Sequence, residues 1–169
     1  MFLTSLPIVF TYTHWFNAIE AIFFLGLIFC LIYFYAPATG KWKESPCKNW
    51  YHLLLSAWLG NVALWRAFWP FFALLNGIFL YIDYRAGNST YTIASWKTVH
   101  IMIFLPSIWW AVSVWRCSHH TSNSLWAAAA RSVTIYFFLD FTLRLLISLF
   151  YPQTLFDCKL MLLEYGDCL

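Results

Sequence analysis

Four long, almost unbroken apolar stretches dominate this chain, and each holds at least one ionisable residue. Glu20 lies in the first, Arg66 in the second, His100 in the third, and Asp140 with Arg144 in the fourth. A charge in hydrocarbon costs from about 2.5 to more than about 10 kcal/mol, depending on how far it snorkels or pairs. Four stretches that all retain such a group imply that the groups meet one another, a ligand or a partner protein. The pattern points to a site without naming a chemistry.

Composition sets the class. Hydrophobic residues make up 62% of the chain and charged residues 10%, against roughly 45–50% and 25% in soluble domains. A soluble fold this apolar would expose more hydrophobic surface than water tolerates. The expectation is an all-α integral membrane protein, because the runs are continuous rather than alternating and so favour helices over a β-barrel. The 169 residues accommodate four spans of about 20 residues with short connections. Tyr33, Tyr35, Trp50, Tyr51, Trp96, Trp115, Trp126 and Tyr151 gather near the ends of the runs, as amphipathic rings do at headgroup level.

The first span is expected from Trp15 to Tyr35, the third from Trp96 to Trp115 and the fourth from Leu125 to Phe150. Asp83 to Ser95 reads as a loop. Trp50 to Ile82 as one helix would be about 50 Å long, too long for a hydrocarbon core of about 30 Å. Pro70 lies inside it and should end or kink the helix. The reading is therefore a span over Trp50–Trp69 and an interfacial helix over Phe71–Ile82, with Phe71, Leu74, Leu75, Ile78, Phe79 and Ile82 on one face. A five-span alternative that reverses at Arg66–Pro70 lacks a polar turn segment there. Residues 1–152 form the transmembrane domain in this reading, and 153–169 a short external tail.

Lys41, Lys43 and Lys48 in the first loop, with Arg116 and Arg131 around the third, place those loops on the cytoplasmic side and both termini outside. No cleavable signal peptide is expected, since the first residues lack a basic region. On this topology Glu20, Arg66, His100, Asp140 and Arg144 fall in the outer half of the membrane and should form one intramembrane polar network. Asp140 and Arg144 are spaced to pair on one helix face. Removing Arg66 should then be costly, because it would leave acids unpaired.

No phosphate-binding loop, zinc motif or nucleophile elbow is present, so no catalytic residue is assigned. The chain shows no basic patch with interleaved aromatics of the nucleic-acid type. His119-His120 with Cys117 reads as a solvated loop rather than a metal site, and no metal is expected. No cofactor is expected either; haem, with His14 and His100 as axial ligands, and quinone are the alternatives. Cys158 and Cys168 can close a disulfide in the external tail. Asn88-Ser89-Thr90 is a glycosylation sequon in an external loop.

Val114-Trp115-Arg116-Cys117, a short polar loop and Trp126-Ala127-Ala128-Ala129-Ala130-Arg131 resemble a helix–loop–helix of small, uncharacterised bacterial inner-membrane proteins. The resemblance implies a bacterial inner membrane and carries over no activity. The soluble parts are too small for a catalytic domain, and the aromatic load suits lateral packing. The expected function is a non-catalytic accessory or assembly subunit of a larger membrane complex, with other membrane subunits and lipid as partners and both termini periplasmic. A quinone- or haem-linked redox subunit and a transporter, channel or immunity-type protein are the alternatives.

Overall fold

The computed structural model describes residues 17–36, 49–88, 92–121 and 123–150. The tail cysteines Cys158 and Cys168, and His14, lie outside them. Among the described residues five α-helices follow one another: α1 over Ala18–Phe34, α2 over Trp50–Leu59, α3 over Leu64–Gly87, α4 over Ile93–Cys117 and α5 over Ser124–Phe150. A single 3₁₀ turn, Ser118–His120, joins α4 to α5. The described residues form no strand. Leu64–Ala86, Ile93–His120 and Ser124–Phe150 are long and apolar enough to cross a membrane, and α1 is a shorter apolar helix.

The expected break at Pro70 is corrected. Pro70 sits inside α3, and Pro106 likewise sits inside α4. Both rings point outward, away from the packed faces. The chain breaks ten residues earlier, at Gly60, which takes φ 82° and closes α2. The Gly60 N–H donates to the Ala57 carbonyl and the Asn61 N–H to the Ser56 carbonyl, the paired bonds of a Schellman ending. A left-handed residue with no Cβ penalty is what that ending requires. The segment Phe71–Ile82 is therefore the middle of α3 and not an interfacial helix. Its apolar stripe faces the bundle: Leu75, Phe79 and Ile82 are buried, Phe71 and Ile78 are half-buried, and only Leu74 is exposed.

The ten residues of α2 rise about 15 Å, half of a hydrocarbon core. This helix is held by the end of α4. Arg116 Nη1 donates to the Trp58 carbonyl at 2.7 Å, and its guanidinium lies over the Trp58 ring at 4.7 Å. The Cys117 thiol donates to the Ala57 carbonyl. Carbonyls that end a helix need such partners, and here a neighbouring helix supplies them.

Short connections make α3, α4 and α5 neighbours, and their shared core is aromatic. Trp110 packs on Phe68 and Phe137, and Phe79 packs on Phe137 and Phe141. The polarity runs opposite to that of a soluble protein. His100, Ser107, Ser113, Ser132, Thr134, Asp140, Arg144 and Ser148 are buried, while Ile101, Met102, Leu105, Leu139 and Leu149 are exposed. Ser107 and Ser113 satisfy their hydroxyls on the carbonyls of Ile103 and Trp109 one turn back, the local bond available to a hydroxyl inside a helix. The outermost helix, α1, is apolar beyond Glu20 in its first turn and has no buried residue. It docks on α5, where the Tyr136 hydroxyl donates to the Leu25 carbonyl at 2.6 Å.

Gly60→Ala should destabilise the bundle by about 1–2 kcal/mol for the left-handed backbone alone. The new Cβ would also stand 3.0 Å from the Arg116 Cβ. Gly77→Ala, which meets nothing within 4 Å, should be neutral or stabilising by up to about 1 kcal/mol. Thermal unfolding in detergent compares the two. Equal midpoints would refute the Gly60 hinge.

Candidate functional site

One guanidinium organises the far ends of α3, α4 and α5. Arg144 is 3% exposed and sits two turns before the end of α5. Its Nη1 donates to Asp83 Oδ1 at 2.7 Å and its Nη2 to Asp83 Oδ2 at 3.0 Å. Its Nε donates to Asp140 Oδ2 at 3.1 Å. The Asp83 pair is a two-pronged fork that fixes direction as well as distance. Asp140, one turn back on the same helix, holds the guanidinium edge-on so that the fork faces α3. The Phe79 ring lies beside the guanidinium at 5.3 Å.

His100 of α4 closes the group. It is fully buried, and its ring sits 3.6 Å from that of Trp96, 5.3 Å from Phe79 and 5.8 Å from Phe141, centre to centre. Its Nδ1 lies 2.8 Å from the Trp96 carbonyl. A carbonyl only accepts, so Nδ1 carries the proton and a neutral His100 presents the lone pair on Nε2. That Nε2 is buried and has no hydrogen-bond partner. Phe79 thus touches both the guanidinium and the imidazole, and couples the ion pair to the histidine by packing.

The five residues expected to form one network separate. Asp140, Arg144 and His100 come together. Glu20 is exposed at the start of α1, where its carboxylate accepts from the Asn17 N–H at 3.1 Å. Arg66 is exposed in the first turn of α3, its guanidinium over the Trp65 ring at 5.1 Å. Asp83 lies 17 positions later in that helix, a rise of about 25 Å, so Arg66 occupies the opposite end. Asp83 is the member that sequence reasoning missed. It had been assigned to a loop, whereas α3 continues to Gly87. An acid one helical repeat after Phe79 on the same apolar face was the available signal.

A second buried guanidinium, Arg131, lies near the other end of α5. Its Nε donates to Ser118 Oγ at 2.7 Å, and its Nη2 approaches the Trp115 carbonyl at 3.5 Å and His119 Nε2 at 3.3 Å. The guanidinium also stacks over the Trp115 ring at 4.9 Å. The Trp115 Nε1–H donates to Thr134 Oγ1 at 2.9 Å. Cys117 and His119 are thereby engaged separately, and no group of three His, Cys, Asp or Glu suited to a metal occurs among the described residues. Among the described residues, His100 lines neither the cavity of about 500 Å³ beside Trp115 nor that of about 710 Å³ beside Trp65.

No family model matches this chain, and neither does any curated protein or solved structure. The site therefore rests on its own geometry, which is that of a clamp: an ion pair between helices, oriented by a second carboxylate and sealed by aromatic rings.

Arg144→Leu should cost about 3–5 kcal/mol, since it takes the Arg144 cation from the buried Asp140 and the half-buried Asp83. Replacing Asp83, Asp140 and Arg144 by Leu together should recover most of that loss. Arg66→Leu, at an exposed position, should change stability by less than about 1 kcal/mol. Unfolding midpoints of the three variants decide the matter, and an Arg144→Leu protein as stable as wild type would overturn the clamp.

Proposed function

We propose that this chain is a four-span membrane protein that acts as a non-catalytic accessory or assembly subunit of a larger membrane complex. The observation that carries the reading is α1. A 17-residue helix with no polar face and no buried residue contributes nothing to the core, and its whole outer surface is left for lipid or for another subunit. Phe23, Leu27, Leu31 and Phe34 are exposed along it. Asp83, Asp140 and Arg144, by contrast, are turned onto one another rather than toward a substrate.

The four spans in this proposal are α1, α3, α4 and α5, with α2 as a half-length helix at one membrane face. The docking of α2 on Arg116 and Cys117 is consistent with the first and third loops on one side. Arg66 lies at that same end with Arg116 and Arg131, and Lys41, Lys43 and Lys48 belong in sequence to the first loop. The weight of basic residues makes it the cytoplasmic side and puts both termini outside. By the resemblance of residues 114–131, the membrane would be a bacterial inner membrane, with the termini periplasmic.

A second reading, a quinone-linked subunit, has one observation in its favour. A cavity of about 710 Å³ lies between the first halves of α3 and α5, walled by Trp65, Phe68, Trp69, Phe72 and Trp126. Thr121 lines it, and its buried hydroxyl has no hydrogen-bond partner. An apolar slot with few polar groups is the usual form of a small-molecule site.

Extraction from native membranes in mild detergent separates the readings. The subunit reading expects stoichiometric partner proteins. It also expects their loss when Phe23 and Leu27 are both changed to Ser, with the helical circular dichroism of the chain unchanged. A chain that purifies alone with a retained quinone would replace it with the second reading.

A further inference from the structure

We propose that a groove on the α4–α5 face, beside Trp115 and His119, seats an anionic phospholipid, its phosphate against Arg116 and His119 and an acyl chain along the two helices. The inference rests on the membrane reading above. It starts from Arg131, which is 5% exposed and whose partners are a hydroxyl, a carbonyl, an imidazole and an indole ring. None of these is an anion. The acids among the described residues sit elsewhere, Asp83 and Asp140 on Arg144 and Glu20 at the start of α1. Neutral hydrogen bonds and a ring face lower the cost of burying a cation, but they leave its charge uncompensated.

The groove beside this cation has a volume of about 500 Å³ and is amphiphilic along its length. One end carries Arg116 and His119, and the walls beyond are Val112, Ile135 and Phe138. Positions 119 and 112 on the α4 side are about 10 Å apart along the axis, so the cationic end faces the connection to α5 and the apolar part runs toward the middle of the bundle. The imidazole of His119 is set by Arg131. An arginine N–H only donates, so His119 Nε2 accepts from Nη2 and Nδ1 carries the proton. A neutral His119 thus offers an N–H donor while the Arg131 charge stands behind it. Basic pockets between spans on the cytoplasmic side suit phosphate headgroups, and the apolar walls select a phosphate that carries a chain over a free one.

The test uses the full chain purified in a neutral detergent. Its thermal midpoint is followed against dioleoyl phosphatidylglycerol, dioleoyl phosphatidylcholine and glycerol 3-phosphate, and native mass spectrometry reads retained lipid. The proposal expects a saturable rise and a one-lipid adduct with phosphatidylglycerol, a much weaker effect of phosphatidylcholine, and none from glycerol 3-phosphate. Arg116→Gln should weaken the phosphatidylglycerol effect about fivefold, the share of one cation at an anionic lipid, and His119→Ala should weaken it at least about fivefold by removing a hydrogen-bond donor to a charged phosphate. Arg66→Gln, a cation at the same end outside the groove, should leave it unchanged. His119 bears no part of the α2 docking, so its variant remains informative if Arg116→Gln unfolds. Equal stabilisation by both lipids, or a His119→Ala protein that binds phosphatidylglycerol like wild type, would overturn the proposal. Stabilisation by glycerol 3-phosphate alone would reassign the groove to a soluble phosphate. Carbonate extraction of the wild-type chain from phosphatidylcholine vesicles keeps the two readings apart. A chain that stays in the vesicles but shows no lipid preference defeats the groove and leaves the membrane reading intact, whereas a chain released from them defeats both.

Discussion

The bundle depends on the placing of one arginine. Helices that cross an apolar medium gain little from hydrophobic contact with one another, because their surroundings are as apolar as their side chains. Something directional has to choose which faces meet. Arg144 does so by reaching from α5 to Asp83 with both prongs of its fork, and Asp140 aims it. The sliding of α3 against α5 by one turn would move the carboxylate about 5 Å from the guanidinium and strand both charges. The aromatic layer of Phe79, Phe137 and Phe141 then packs in the register the ion pair defines.

This division of labour explains the reversed polarity of the molecule. Most of the serines and three of the charges, Arg131, Asp140 and Arg144, are buried beside an aromatic core, while many leucines, isoleucines and further aromatics face outward. Each buried serine on α4 that bonds its own preceding turn lets helices approach with small side chains and no stranded donor. The two buried arginines behave differently. Arg144 meets carboxylates, while Arg131 meets neutral groups and a ring. The first is a closed unit that needs nothing further. The second keeps its positive field at the end of the molecule where the other basic residues gather, a disposition suited to an anionic surface.

Much of this was legible in the chain. Three of the four apolar runs coincide with helices long and apolar enough to cross a membrane, because a continuous apolar run of that length leaves the backbone little alternative to a helix. The Asp140–Arg144 spacing pointed to a pair on one helix face. What could not be read was where the second run divides. Pro70 is the stronger breaker in isolation, yet α3 carries it with its ring outward at a cost of about 3 kcal/mol for the lost bond and the crowded carbonyl, while Gly60-Asn61 supplies a complete helix ending. That one shift of boundary moved Arg66 to the basic end and brought Asp83 out of a loop into the site. Glu20 caps its own helix for a local reason, the proximity of the Asn17 N–H, which spacing alone does not distinguish from a long-range role.

The attachment of α1 has a consequence for how such a chain is made. Its bond to the bundle runs from Tyr136 to Leu25 across 111 positions of sequence. At synthesis rates of about 5–20 residues per second, α1 leaves the ribosome many seconds before that tyrosine exists. During the interval it must persist as a lone helix with every backbone group bonded within itself. Its uniformly apolar surface and its self-contained start at Asn17 and Glu20 allow that. In the proposed four-span arrangement, a nascent chain can therefore pass through a stage in which α1 moves as an independent element and is recruited to α5 only at the end of translation.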